Sequence, residues 1–244
     1  METLDSIKIR DIEVQVYQSK AGYRFSLDAL LLADFPAVRT CSRILELGAG
    51  SGVVSLLLAK RYPRAKVAGV EIQDGLYGRA VRNAEVNGLS GRVEFVHMDL
   101  KKLPKAMPAE GFDMVVMNPP FRKPDTGRIS PGDERAAARH ELAASLRDII
   151  RVSSVMLKNR GRLCIVHHPA RLPELMQLMQ TYHLEPKRMR MVHSHTGDEA
   201  RMALVEAVKA GAEGLKVLPP LFVYESERVY TREMREFYGF LPGG

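Results

Sequence analysis

A glycine-rich turn held between a short apolar strand and a helix constrains this chain more than any other stretch. Residues 43–47 (RILEL) have the length and apolarity of a buried strand, residues 46–52 read ELGAGSG, and residues 53–61 (VVSLLLAKR) read as a helix. Glycine has no Cβ, so a ligand can approach this backbone closely, and the helix it opens offers unpaired N–H groups. The strand–helix alternation then continues. Residues 65–70 form a second strand ending in Glu71, and residues 76–87 a helix stopped by Gly88. Residues 93–97, 112–117 and 162–166 are further strands, and residues 172–182 a helix with Pro173 in its first turn. Residues 188–193 and 201–208 form a closing antiparallel pair. Short strands separated by helices require a mostly parallel sheet with helices on both faces. The expectation is an α/β fold of seven strands whose final pair is antiparallel.

The flanking segments are less regular. Residues 7–16 alternate loosely and predict one or two short strands. Residues 22–35 predict a helix capped by Ser26 or Asp28 and closed by Pro36. Residues 118–132 (NPPFRKPDTGRISPG) predict a loop, residues 136–158 a long helix, and residues 219–239 a peripheral tail. The division expected is an N-terminal extension, residues 1–38, packed on a catalytic domain, residues 39–244.

The chain has 244 residues and a formal net charge of +7, which favours a polyanionic partner without specifying it. Its two cysteines cannot form a disulfide framework, and no CxxC pair offers a zinc site. The histidine pairs 167/168 and 193/195 read as polar strand ends, so no metal is expected. The polar start METLDSIKIRD does not resemble a signal peptide, and no apolar run reaches the length of a membrane span, so a cytoplasmic protein is expected.

Glu71 lies 19 residues after Gly52, where an acid at a strand end can accept hydrogen bonds from both hydroxyls of a ribose. Asp99, just past the third strand, can accept from an adenine amino group, with the Leu100 N–H facing the ring. These features suit NAD or S-adenosylmethionine. The ELGAGSG spacing departs from the GxGxxG dinucleotide fingerprint, and no GKS or GKT follows to make a P-loop.

Asn118-Pro119-Pro120-Phe121 directly follows the fourth strand, at the sheet edge where open α/β folds bind ligands. The prolines stiffen the backbone and remove two donors. The Asn118 side-chain oxygen and the Pro119 carbonyl can then both accept from one NH2 group. Accepting those protons raises electron density on a nitrogen otherwise conjugated with its ring and turns its lone pair toward a methyl sulfonium. Phe121 offers a face for a flipped base.

Together, residues 46–52, Glu71, Asp99 and the tetrad 118–121 resemble the class I S-adenosylmethionine-dependent methyltransferases, which have a Rossmann-like fold. The asparagine-led tetrad resembles the branch acting on adenine N6, guanine N2 or a glutamine amide. Residues 22–33 (GYRFSLDALLLA), 135–141 (RAAARHE) and 219–234 (PPLFVYESERVYTREM) are similar to segments of the bacterial tRNA-Val adenine-N6 methyltransferases. That family methylates the adenine just 3′ of the anticodon. The resemblance implies a tRNA partner, engaged at its anticodon stem-loop, and conversion of S-adenosylmethionine to S-adenosylhomocysteine. It implies that Glu46, Gly48, Ala49, Gly50 and Gly52 line the methionine end of the cofactor, that Glu71 and Ile72 hold the ribose side, and that Asp99 and Leu100 hold the adenine. It implies that Tyr23, Phe25 and Ser26 cover the cofactor or shape the base pocket. In the family the catalytic loop often carries NPPYF, whereas Arg122 follows Phe121 here.

Arg122, Lys123 and Arg128 flank the tetrad, with Arg135 and Arg139 one helical turn apart beyond it, and these can grip phosphates beside a flipped nucleotide. Lys187, Arg188 and Arg190 form a second basic group. The rival readings are methylation of guanine N2 or a glutamine amide by the same chemistry, a noncatalytic RNA-binding protein, and a nicotinamide-dependent oxidoreductase. The last predicts a tyrosine–lysine pair or a histidine acid in the pocket.

Overall fold

The computed structural model describes residues 2–19, 26–38, 40–119 and 144–240. Two eight-residue strands, β1 (Glu2–Ile9) and β2 (Ile12–Ser19), pair antiparallel as a hairpin, followed by helix α1 (Leu27–Asp34). The alternating units follow: β3 (Arg43–Leu47), α2 (Val53–Arg61), β4 (Lys66–Glu71), α3 (Asp74–Val86), β5 (Val93–His97), the short α4 (Leu103–Ala106) and β6 (Phe112–Met117). Then come α5 (Leu146–Met156), β7 (Leu157–His167), α6 (Leu172–Thr181), β8 (Leu184–His193) and β9 (Ala200–Lys209). The tail holds β10 (Lys216–Val217), β11 (Leu221–Phe222), β12 (Tyr224–Ser226), β13 (Val229–Tyr230) and α7 (Arg232–Phe237).

The central sheet runs β5-β4-β3-β6-β7-β9-β8. Strands β3 to β7 are parallel, and β9 lies antiparallel between β7 and β8. The expected seven strands are therefore present, and two short strands, β10 and β11, add along β8. Strand order reverses between β3 and β6, which places the switch point of the sheet at the glycine turn.

Side-chain alternation divides the core into two layers. Ile44, Cys164 and Val166 face α1, α2, α3 and the hairpin, while Leu45, Leu47, Leu163 and Ile165 face α4, α5 and α6. Each such fully buried Leu or Ile contributes about 1.5–3 kcal/mol. The hairpin lies against α2 and α3, so α2 is covered on both sides and every residue from Val53 to Ala59 is buried.

Two sequence expectations are corrected. The single long helix over 136–158 does not hold: residues 144–145 are not helical, α5 begins at Leu146 and ends at Met156, and residues 136–143 lie outside the described residues. Ser145 accepts from the Asp148 N–H and Asp148 accepts from the Ser145 N–H, a reciprocal cap that fixes the helix start. Leu157 already pairs with Phe112, and a register shift over the next residues brings Arg162 beside Met114. The tail is also not peripheral. Leu221, Val223, Met234 and Phe237 are buried in the same layer as Ile7 and Ile9 of the hairpin.

Candidate functional site

The site is built where β3, β4, β5 and β6 end. Gly48, Gly50 and Gly52 have φ of 67°, 56° and 84°, the left-handed region that disfavours residues with a Cβ. At Gly52 the constraint is also steric, because a Cβ would lie 2.6 Å from the Phe95 ring. Ala49 N–H donates to Val70 O at 2.9 Å, and Gly50 N–H donates to Glu71 Oε2 at 2.8 Å. Glu71 Oε1 accepts from the N–H groups of Ile72 and Gln73, both at 2.9 Å, so this carboxylate ties the glycine turn to the exit of β4. The Met98 N–H donates to Glu71 O at 2.9 Å, which draws in the exit of β5.

Glu46 points from β3 into the layer beneath the turn and is 2% exposed. Its Oε2 accepts from the Ser55 N–H at 2.8 Å and the Ser55 hydroxyl at 2.5 Å. Burial pushes its pKa up to about 8, with the nearby Glu71 charge adding to the rise and Ser55 opposing it. Ser55 escaped the sequence reading; its only signal is its place on the first turn of the helix after the glycines. The Glu71 carboxylate at the turn, whose charge helps to keep Glu46 protonated, favours a cationic ligand over a pyrophosphate. That donor set, with the glycine cradle, fits S-adenosylmethionine and argues against a dinucleotide.

Asp99 is half-buried and caps the turn Leu100–Lys102, accepting from Lys101 N–H at 2.9 Å. Lys101 Nζ lies 3.4 Å from its other oxygen. On the other side of the turn, Leu47 is paired with Met117, so Gly48 and Asn118 leave adjacent parallel strands side by side. Neighbouring strands are roughly 4.8 Å apart. Asn118 is half-buried and Pro119 buried. Asp34 at the end of α1 accepts from Arg61 at the end of α2, so these two helix ends meet, and Ser26 is the residue that precedes α1. Ser26 donates to Asp28. The structure thus brings together Glu46, Gly48, Ala49, Gly50, Gly52, Glu71, Ile72, Asp99, Leu100 and Asn118. Tyr23, Phe25, Pro120, Phe121, Arg122, Lys123, Arg128, Arg135 and Arg139 lie outside the described residues.

The rival groups are elsewhere. Tyr62 and Lys66 have Tyr-x-x-x-Lys spacing but sit at the opposite edge, where Tyr62 donates to Val38 O at 3.1 Å. The second basic group is used internally: Lys187 donates to Ala212 O and Glu213 O, Arg188 to Phe35 O and Glu206, and Arg190 to both oxygens of Glu233. His167 is 2% exposed at the end of β7, and burial lowers its pKa to about 4. Among the described residues no three His, Cys, Asp or Glu side chains are grouped to hold a metal, and no helix is long and apolar enough to cross a membrane.

The family profile of the methyltransferase small domain matches residues 27–184. The chain belongs to that family. It is 31% identical over 195 residues to the tRNA1(Val) (adenine(37)-N6)-methyltransferase of Porphyromonas gingivalis, covering 78% of this chain and 76% of that one. The enzyme of the same name from Pedobacter heparinus is 26% identical over 220 residues, 90% of this chain and 91% of its own. Among solved structures, a predicted O-methyltransferase, protein Atu636 from Agrobacterium tumefaciens, superposes with a TM-score of 0.71 at 24% identity, covering 88% and 96% of the two chains. The Thermus thermophilus 16S rRNA N2 G1207 methyltransferase, solved with AdoMet and guanosine, gives 0.59 at 21% identity, over 86% of this chain and 51% of that one. These two likenesses show the fold alone. The methyltransferase fold and the acid-lined glycine turn make S-adenosylmethionine the cofactor of this chain.

Proposed function

We propose that this protein transfers a methyl group from S-adenosylmethionine to the exocyclic N6 of an adenine in tRNA, the adenine 3′ of the anticodon of a tRNA-Val. The observation that carries the reading is the exit of Asn118-Pro119 beside the acid-lined glycine turn. The substrate is supported by the shared name of the curated relatives.

The cofactor supplies an electrophilic methyl on sulfur. Glu46, Gly48, Ala49, Gly50 and Gly52 cradle its methionine end, Glu71 and Ile72 its ribose, and Asp99 with the Leu100 N–H its adenine. Ser26, with Tyr23, closes over it. Asn118 Oδ1 and Pro119 O accept hydrogen bonds from the two N–H groups of the target amine and aim its lone pair at the methyl carbon. Pro120 stiffens this exit and Phe121 stacks on the flipped base. No strong base would be required before attack: forming the N–C bond would break the sulfur–methyl bond and leave a neutral thioether, and the surplus proton on nitrogen would pass to water afterwards. Catalysis is then positioning and electrostatics. Arg122, Lys123, Arg128, Arg135 and Arg139 hold phosphates of the anticodon stem-loop. Residues 1–38 serve as an extension packed on a catalytic domain of residues 39–244, and the protein works in the cytoplasm, where its tRNA is.

The test is incubation with labelled S-adenosylmethionine and unmodified bulk tRNA, followed by digestion and nucleoside identification by mass. N6-methyladenosine, lost in Asn118→Ala, supports the reading. Methylguanosine would move the substrate to guanine N2. No label in any tRNA, with cofactor binding intact, would overturn the tRNA substrate and direct attention to ribosomal RNA or a protein glutamine.

A further inference from the structure

Beyond the basic residues of the catalytic loop, a second group of cations stands at the rim of the site. Lys101 and Lys102 lie in the turn that Asp99 caps, just after Leu100, and Lys105 lies on α4. Both the Leu100–Lys102 turn and α4 pack against α5. That helix begins where the chain returns from the segment after Asn118-Pro119, and it carries Arg147 and Arg151 one turn apart. Lys102, Lys105 and Arg147 are exposed.

Among the described residues, two acids pair with these five cations. Asp99 takes Lys101 at 3.4 Å and Asp148 takes Arg151 at 3.9 Å, which leaves five minus two, or three, positive charges. Asp148 is held below the usual carboxylate range, chiefly by the Ser145 hydroxyl and also by the charges of Arg151 and Lys101, which places Lys101 close to the first turn of α5. The lysines thus stand on elements packed against α5, and Arg147 is exposed in the first turn of that helix.

We propose that this shelf, Lys101, Lys102, Lys105, Arg147 and Arg151, grips the sugar–phosphate backbone of the RNA whose target nucleotide enters the pocket. Lysines dominate it, and an ammonium on a flexible stem is a point-charge contact suited to phosphate rather than to base-edge readout. The shelf therefore contributes affinity and register, independent of sequence. The inference rests on the RNA reading above.

The test is the salt dependence of unmodified tRNA binding by the full chain. The variant carries Lys102→Gln, Lys105→Gln and Arg147→Gln, sparing Lys101 because it touches Asp99. Losing three phosphate contacts lowers the slope of log affinity against log salt by about 2.7, so between about 50 and 200 mM salt the wild type loses roughly 40-fold more affinity than the variant. Cofactor affinity should stay within about twofold, because none of the three residues touches the glycine turn. The control, Lys60→Gln with Arg64→Gln at the opposite edge of the sheet, should keep the wild-type slope. An unchanged slope in the triple variant, or an equal change in the control, overturns the shelf. Binding with the expected slope change but no methylation in wild type would sink the substrate reading and leave the shelf standing.

Discussion

Replacing Glu46 with glutamine tests the electrostatics of the glycine turn through folding stability. The carboxyl titrates near 4.5 in the unfolded chain and at about 8 when folded, because burial disfavours its charge. The folded state therefore holds a proton that the unfolded chain releases above about pH 4.5, and stability falls as pH rises toward 8. Each pKa unit is worth about 1.4 kcal/mol, so the full penalty above pH 8 is about 5 kcal/mol. Between about pH 6 and pH 8 the wild type should lose about 2 kcal/mol through this group alone. Glutamine keeps an oxygen for the Ser55 N–H and hydroxyl but has nothing to ionise. Denaturant unfolding of both proteins at a series of pH values reads the difference directly. The stability curves should cross or diverge steadily, with Glu46→Gln gaining on wild type by about 2 kcal/mol over that window. Parallel curves would refute the assignment of a neutral, buried acid beneath the cofactor turn.

Further outcomes follow from the same geometry. Asn118→Ala should lower the methyl-transfer rate by about 100- to 1,000-fold while S-adenosylmethionine affinity, read by calorimetry, changes little. Gly52→Ala places a Cβ 2.6 Å from the Phe95 ring at φ 84°, and should cost about 3 kcal/mol in denaturant unfolding. Glu206 is fully buried between Arg162 at 2.5 Å and Arg188 at 3.3 Å, so Glu206→Gln should cost about 3 kcal/mol and lower the thermal midpoint measurably. His167 stays neutral when folded, with a pKa of about 4 against an ordinary value of 6.5, so stability is lost as pH falls from 6.5 to 4. His167→Gln should remove about 3 kcal/mol of that acid sensitivity, seen as a lower acid-unfolding midpoint relative to its stability at neutral pH.

The parallel core was legible because each strand is a short apolar run and each helix has its own stop. Helix α2 and strands β3, β5 and β6 fall where periodicity puts them. Convergence of Glu46, Glu71, Asp99 and Asn118 was also legible, since residues just past parallel strands share one edge of the sheet. The start of α5 was hidden by helix-forming residues before it, although Ser145 and Asp148 carry the spacing of a capping pair. Strand β8 begins at Leu184, before Pro186, which reads as a breaker but is accommodated at a register shift against β9. The tail misled because Leu221, Val223, Met234 and Phe237 are spaced among charged residues, and their burial depends on a hairpin more than 200 positions earlier. The roles of Arg188 and Arg190 were unreadable for the same reason, since Phe35, Glu206 and Glu233 are distant in sequence.

The closing contact between the chain's two ends bears on how the protein is made. Arg10 N–H, in the turn of the first hairpin, donates to Phe237 O at 2.6 Å, and Met234 and Phe237 complete the apolar layer around Ile7 and Ile9. Translation at about 5–20 residues per second takes roughly 10–50 s to pass from the hairpin to Met234 and Phe237. For that whole interval the hairpin, translated more than 200 residues ahead of Met234 and Phe237, lacks one wall of its packing. Loss of Met234 and Phe237 would thus be felt at the hairpin, and the newborn chain closes this layer only after the whole central sheet has been made.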